Sequence, residues 1–133
     1  MNSNNKPVAI FVDDEEDFLT VIRLQFRKEV REGKFDLLTF ENGQKCLDYL
    51  KENYSNPKIL LVLSDINMPV LDGIGLLKEI KSLYPSIEIS MASAYDDEER
   101  KKRVASYGAS NYFVKPIDFE IVRKIINDQI DKK

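Results

Sequence analysis

Five short apolar runs recur at nearly regular intervals along the chain, and this spacing constrains the fold more than any other feature. The runs are Val8–Val12, Phe35–Phe40, Ile59–Leu63, Ile87–Met91 and Asn111–Val114. The segments between them carry apolar residues three or four positions apart, as in Phe18, Ile22 and Phe26, which is the spacing of an amphipathic helix. Strands that alternate with helices form a parallel sheet. The pattern therefore predicts an α/β domain of the (βα)5 type, a five-stranded parallel sheet with helices on both faces.

The first, third and fifth runs are almost continuously apolar. Strands that are covered by helices on both faces have this composition, whereas half-exposed strands alternate apolar with polar residues. We therefore expect these three strands to be buried on both sides.

Composition excludes several classes of protein. The chain has 133 residues, with 20 Lys+Arg, 23 Asp+Glu and a net charge of −3, so it lacks the basic surface typical of nucleic-acid binding. The apolar runs are too short to span a membrane. Cys46 is the single cysteine, which excludes an internal disulfide and fits a cytoplasmic location. Histidine is absent, which excludes Ser-His and Cys-His nucleophilic sites and histidine-ligated zinc.

The polar start, residues 1–6, is predicted to be a disordered tail before one domain over residues 7–133.

The fourth predicted helix has an unusual order of charges. Residues 96–103 read Asp-Asp-Glu-Glu-Arg-Lys-Lys-Arg, with acids before bases. This order predicts i,i+4 ion pairs with the acid on the N-terminal side, which is the favourable direction. The predicted pairs are Asp96/Arg100, Asp97/Lys101, Glu98/Lys102 and Glu99/Arg103. A solvated helix that barely touches the core explains the run, and such a helix is also easily moved.

Polar residues follow four of the five predicted strands. They are Asp13-Asp14, Asp65, Ser93 and Lys115. In the flavodoxin-like strand order 2-1-3-4-5 the first and third strands are neighbours, so the three carboxylates share one pocket. Each ionised pair about 5 Å apart repels by roughly 3 kcal/mol at an effective dielectric near 20, which a bound cation offsets. Oxygen ligands suit Mg²⁺. The alternative is that Asp13-Asp14 only forms a turn or the N-cap of the first helix, the cap being Asp14.

These motifs resemble those of the receiver domain of two-component response regulators. The resemblance covers about residues 7–130 and rests on Val12-Asp13-Asp14-Glu15, Asp65-Ile66-Asn67-Met68-Pro69, Asp72-Gly73, Ser93-Ala94 and Lys115-Pro116. It implies the flavodoxin-like fold with strand order 2-1-3-4-5. It also implies that a histidine kinase or a phosphotransfer protein donates a phosphoryl group to this chain.

The resemblance assigns Asp65 as the phosphoryl acceptor. Asp14 and Asp65 would ligate Mg²⁺ together with the backbone carbonyl of Asn67, and Asp13 would act mainly through a bound water. This chemistry is reasonable, because a carboxylate can attack phosphorus and phosphoryl transfer depends chiefly on positioning and charge neutralisation.

The resemblance assigns the other residues of the motif either to binding the phosphoryl group or to the conformational change that follows phosphorylation. Ser93 and Lys115 would hold the phosphoryl oxygens, and Tyr112 would be an aromatic switch that turns inward when Ser93 moves. Asn67 and Tyr95 occupy the positions that the family uses to set phosphoryl lifetime. The Lys115-Pro116 peptide bond is expected to be cis.

The sequence thus predicts a signalling switch that is not an enzyme. Its phosphorylation would change a face made of the fourth helix, fifth strand and fifth helix, where a downstream protein binds. One alternative is an aspartyl-nucleophile Mg²⁺-dependent phosphatase, although that family has a second aspartate where this chain has Asn67. Another is a receiver-like docking module that is not phosphorylated. Because the sequence ends at Lys133, we expect a stand-alone receiver without an appended DNA-binding domain.

Overall fold

The computed structural model describes residues 6–54 and 57–132, so the tail predicted over residues 1–6 lies outside the described residues apart from Lys6. The strands are β1 (Val8–Val12), β2 (Asp36–Phe40), β3 (Ile59–Asp65), β4 (Ile89–Ser93) and β5 (Asn111–Val114). The helices are α1 (Glu16–Gln25), α2 (Arg27–Arg31), α3 (Gly43–Asn53), α4 (Gly73–Leu83), α5 (Glu98–Ser106) and α6 (Phe119–Asp131). Across these two ranges, no helix has the length and apolar character needed to cross a membrane.

The strands form one parallel sheet in the order β2-β1-β3-β4-β5, which confirms the predicted fold. Successive side chains of a strand point to opposite faces, and each face has its own core. Ala9 and Phe11 pack with residues of α1 and α6, whereas Ile10 and Val12 pack with residues of α3, α4 and α5. Helices therefore cover both faces, and the loops at the carboxyl ends of the strands converge at one edge.

The first predicted helix is broken at Phe26. The backbone of Phe26 departs from helical geometry, and the short helix α2 follows directly. The Phe26 ring is fully buried and lies 5.8 Å from the Phe11 ring, 6.1 Å from Phe35 and 6.2 Å from Phe119, measured between centroids. Such aromatic contacts add to the stabilisation from burial, so the cluster holds this ring where the helix ends.

The expectation for the burial of the strands is only partly correct. All five residues of β1 are buried, as are all but the first and last residues of β3. In β5, however, Phe113 alone is buried, whereas β4 is buried along its whole length. The strand order explains the difference, because β5 forms an edge of the sheet and β4 lies between two strands.

The i,i+4 pairs predicted for the fourth helix are wrong. This helix is α5, and it begins at Glu98 with Asp97 as its N-cap, so Asp96 and Asp97 lie outside it. Lys101 instead pairs with Asp96 at 2.6 Å and with Glu98 at 3.1 Å. The prediction that this helix packs weakly against the core agrees with the structure, since Val104 is the one buried residue that the structure describes within α5.

Candidate functional site

The carboxyl ends of β1 and β3 bring three aspartates together. Val12 pairs with Ser64 in the parallel ladder, so Asp13 and Asp65 come next on neighbouring strands. Carboxylate oxygens of Asp13, Asp14 and Asp65 all lie within 4.8 Å of one another. The acidic cluster predicted from the strand order is therefore formed.

Lys115, at the end of β5, reaches across the sheet edge to this cluster. Its Nζ lies 2.7 Å from Oδ2 of Asp13, 3.6 Å from Oδ1 of Asp65 and 3.4 Å from Oε1 of Glu15. Burial by itself lowers the pKa of Lys115, but the hydrogen bond to Asp13 and the surrounding carboxylates outweigh burial and raise it. Lys115 is therefore a fixed cation inside the site. Its peptide bond to Pro116 is cis, as the resemblance implied.

Asp65 is the carboxylate whose ionisation the pocket opposes. Its side chain is 11% exposed. Burial raises the pKa of Asp65 to about 6, and the charges of Asp13 and Asp14 act in the same direction, while Lys115 opposes them. The cluster thus disfavours its own negative charge, and a further cation would relieve this repulsion.

Asp13 and Asp14 differ in their environments. Asp13 is 1% exposed, and its carboxylate accepts hydrogen bonds from the backbone N–H of Glu15 and from Lys115. Asp14 is exposed, and the N-cap of α1 is Glu15, so the alternative that Asp14 merely caps the helix is wrong. The cluster offers only oxygen donors and opens to solvent at Asp14, which fits a hard cation such as Mg²⁺.

The loop between β3 and α4 approaches the end of β3 very closely. Gly73 donates its N–H to the carbonyl of Ile66 at 2.8 Å, and a Cβ at Gly73 would overlap the carbonyl oxygen of Asp65. Asp72 is the N-cap of α4 and accepts a hydrogen bond from Gly75 N at 2.8 Å. Asn67 lies exposed in this loop, two residues after Asp65. The close approach of Gly73 to the end of β3 explains why a glycine stands at position 73.

Ser93, the last residue of β4, is fully buried and directly follows Ala92, which pairs with Asp65 in the sheet. Its Oγ accepts hydrogen bonds from the backbone N–H of Tyr95 at 3.1 Å and from Nη1 of Arg100 at 3.3 Å. Within residues 6–54 and 57–132, neither Asp65 nor Lys115 is a hydrogen-bond partner of this hydroxyl. Ser93 therefore stands near the cluster but is bonded toward α5.

Tyr112 lies in the middle of β5, opposite Met91 of β4. Its ring is partly buried against the core, and its hydroxyl donates to the carbonyl of Tyr95 at 2.6 Å. Tyr112 thus contacts the same β4–α5 connection that holds Ser93. The rotamer change of Tyr112 stays a prediction.

Three residues of the site were named in the sequence analysis but given no role in the site. Glu15 adds a fourth carboxylate near Lys115, and the Phe18 ring centroid lies 4.4 Å from the Lys115 ammonium, a cation–π contact. Glu15 directly follows Asp13-Asp14 in the sequence, and this position was a signal that could have placed it in the site. Arg100 was placed in a charge pair, and nothing local in the sequence indicates its contact with Ser93.

Known proteins share the sequence pattern over most of the chain. A family model of the response regulator receiver domain matches residues 9–127. The transcriptional regulatory protein ZraR of Escherichia coli (strain K12) is 31% identical over 120 residues, which are 90% of this chain and 25% of that protein. The two-component response regulator ORR1 of Oryza sativa subsp. japonica is 30% identical over 123 residues, which cover 90% of this chain and 53% of that protein. The chain spans only part of these relatives.

Solved structures share the fold over nearly the whole chain. A response regulator receiver domain protein from Clostridium thermocellum has a TM-score of 0.80 at 25% identity and covers 94% of each chain. CheY in the CheX-CheY-BeF3-Mg²⁺ complex from Borrelia burgdorferi has a TM-score of 0.74 at 29% identity, covering 94% of this chain and 90% of the other.

Sequence motifs, strand order and family match agree over the same residues. The acidic cluster and Lys115 occupy the strand ends that the motif places them on. The match over residues 9–127 includes these positions. The chain therefore belongs to the response regulator receiver domain family of two-component systems.

Proposed function

We propose that the chain is a phosphorylation-controlled signalling switch that accepts a phosphoryl group on Asp65. The observation that carries this proposal is the meeting of three carboxylates with one fixed ammonium group at the carboxyl edge of the sheet. An acidic cluster alone would only attract cations. The addition of Lys115 creates a place where an anionic group is also neutralised.

The acidic cluster would hold Mg²⁺ through Asp13, Asp14 and Asp65, together with the backbone carbonyl of Asn67. When bound, the ion would neutralise oxygens of the phosphoryl group and orient them. Two observations support this assignment. The donors are all oxygens, and the Borrelia burgdorferi neighbour, 29% identical, is a complex that contains Mg²⁺ and BeF3.

Asp65 would be the nucleophile in the transfer. A carboxylate oxygen of Asp65 forms a bond to phosphorus, while the P–N bond of a phosphohistidine in the donor breaks and the imidazole nitrogen keeps the electron pair. The raised pKa of Asp65, about 6, still leaves the carboxylate ionised at neutral pH. Lys115, whose Nζ lies 3.6 Å from Asp65, would pair with a phosphoryl oxygen, and Ser93 would donate its hydroxyl proton to another.

The phosphodonor would be a histidine kinase or a phosphotransfer protein, which would supply the phosphohistidine that this chain, having no histidine, does not contain. The output face would consist of α5, β5 and α6, which are the fourth helix, fifth strand and fifth helix of the sequence prediction. Two observations support this choice. Helix α5, which follows Ser93 in the chain, packs weakly against the core, and Tyr112 bonds to Tyr95, two residues after Ser93. We place this switch in the cytoplasm, where it would act on a downstream protein and not as an enzyme.

The test is phosphorylation by a small donor. The chain is incubated with acetyl phosphate and Mg²⁺, and its intact mass is measured. We expect a gain of one phosphoryl group, which Asp65→Asn abolishes and Asp48→Asn, at an exposed position on α3, leaves intact. A gain that persists in Asp65→Asn would contradict the assignment. Failure of the native chain to gain mass would favour the docking alternative, and sustained hydrolysis of a phosphomonoester would favour the phosphatase alternative.

A further inference from the structure

The hydroxyl of Ser93 is held by two donors, one in the connection between β4 and α5 and one in the first turn of α5. Tyr95 N donates at 3.1 Å and Arg100 Nη1 donates at 3.3 Å. A serine hydroxyl accepts two hydrogen bonds and donates one. Both accepting positions are thus directed to the α5 side, and only the proton remains for any other partner.

Arg100 connects this hydroxyl to helix α5. It lies in the first turn of α5, where its backbone N–H is bound by the Asp97 cap, and its side chain is 30% exposed. Its guanidinium carbon also lies 5.7 Å from the centroid of the Tyr95 ring. The Tyr95 carbonyl in turn accepts the hydroxyl of Tyr112. One side chain of α5 therefore contacts both Ser93 and Tyr95.

We propose that Arg100 is a positioning residue that holds the Ser93 hydroxyl toward α5 and so couples the position of this helix to the occupancy of Asp65. The inference rests on the proposed function. A phosphoryl group on Asp65 draws Ser93 toward the acidic cluster, and this movement breaks the bond from Arg100. By reciprocity, a change that removes the bond from Arg100 makes binding at Asp65 more favourable.

The direction of the effect separates this role from simple electrostatics. A cation near an anion site attracts the anion, so loss of its charge alone weakens binding. Loss of a bond that holds Ser93 away from the ligand strengthens binding instead. Replacement of Arg100 by a neutral residue therefore gives opposite results under the two explanations.

The experiment measures the affinity for beryllofluoride with Mg²⁺, a mimic of the phosphoryl group, by following amide resonances. Arg100→Met removes the donors and keeps the aliphatic stem, and we expect binding that is about three- to tenfold tighter, the worth of one hydrogen bond of modest strength. Without beryllofluoride, the amide shifts of α5 in this variant should move part of the way toward those of the bound native chain. Lys102→Met is the matched control, because it removes the same charge from an exposed position on the same helix, and its binding should not tighten.

A second pair of variants links the effect to the hydroxyl. When Ser93 is already alanine, Arg100→Met should no longer tighten binding, since the bond that it breaks is no longer present.

Equal or weaker binding by Arg100→Met, or tighter binding by Lys102→Met to the same degree, would overturn the role of Arg100. Absence of beryllofluoride binding to the native chain would instead refute the proposed function. The two failures are therefore distinguishable.

Discussion

Replacement of Asp65 by asparagine should stabilise the metal-free protein at neutral pH. Burial raises the pKa of Asp65 to about 6, from an ordinary value of 3.8. Each pKa unit corresponds to about 1.4 kcal/mol, so the ionised carboxylate lowers the free energy of unfolding by roughly 3 kcal/mol. Asparagine has nearly the shape of the protonated carboxyl group and avoids this cost.

The pH dependence has a defined sign. Because the folded protein holds the Asp65 proton more tightly than the unfolded chain, the stability contributed by this group falls as pH rises from about 3.8 to about 6. The difference between Asp65→Asn and the native chain should therefore be largest above about pH 7 and shrink below about 1 kcal/mol near pH 4.

Urea unfolding followed by circular dichroism, in the presence of a chelator, measures this difference. Asp48→Asn is the control, because Asp48 is exposed and bonds only to Gln44 among the described residues, so its effect should stay within about 0.5 kcal/mol. Added Mg²⁺ should stabilise the native chain more than Asp65→Asn, since a ligand stabilises the state that binds it. No stabilisation by Asp65→Asn, or a stabilisation that is the same at about pH 7 and about pH 4, would refute the reasoning.

Two further substitutions test the surroundings of the acidic cluster. Lys115→Met leaves the Asp13 carboxylate, 1% exposed, without its ammonium partner, and we expect a loss of about 3–5 kcal/mol in urea unfolding at neutral pH; a loss below about 1 kcal/mol would contradict the importance of this pair. Val70→Asn should raise stability by about 1 kcal/mol, because Val70 has a φ of 69° and is 79% exposed, so a residue that tolerates left-handed backbone relieves strain and loses little packing. The melting temperature checks the second change, and a decrease would show that Val70 makes a contact worth more than the strain.

Much of the candidate site could be predicted because its residues follow strands that are recognisable locally. Asp13-Asp14 and Lys115 come directly after an apolar run and Asp65 one residue after one, and parallel strands end at a common edge. Proximity of these side chains then follows from topology. The cluster within 4.8 Å and the contacts of Lys115 agree with that expectation.

Other features could not be predicted because they depend on neighbours that are distant in the sequence. The charge order of residues 96–103 suggested i,i+4 pairs, but the cap at Asp97 leaves Asp96 and Asp97 outside the helix, and Lys101 pairs with Asp96 and Glu98 instead. The bond from Arg100 to Ser93 depends on how α5 lies against the end of β4.

The sequence by itself determined the alternation of strands and helices and the position of each charged residue relative to a strand end. These properties are local, since periodicity and turn residues act over a few positions. The tertiary structure alone decided which strands are fully buried, because β4 lies between two neighbours and β5 has only one. It also decided the ionisation of Asp65, because the pKa depends on burial and on Asp13, Asp14 and Lys115, which only the folded sheet brings together.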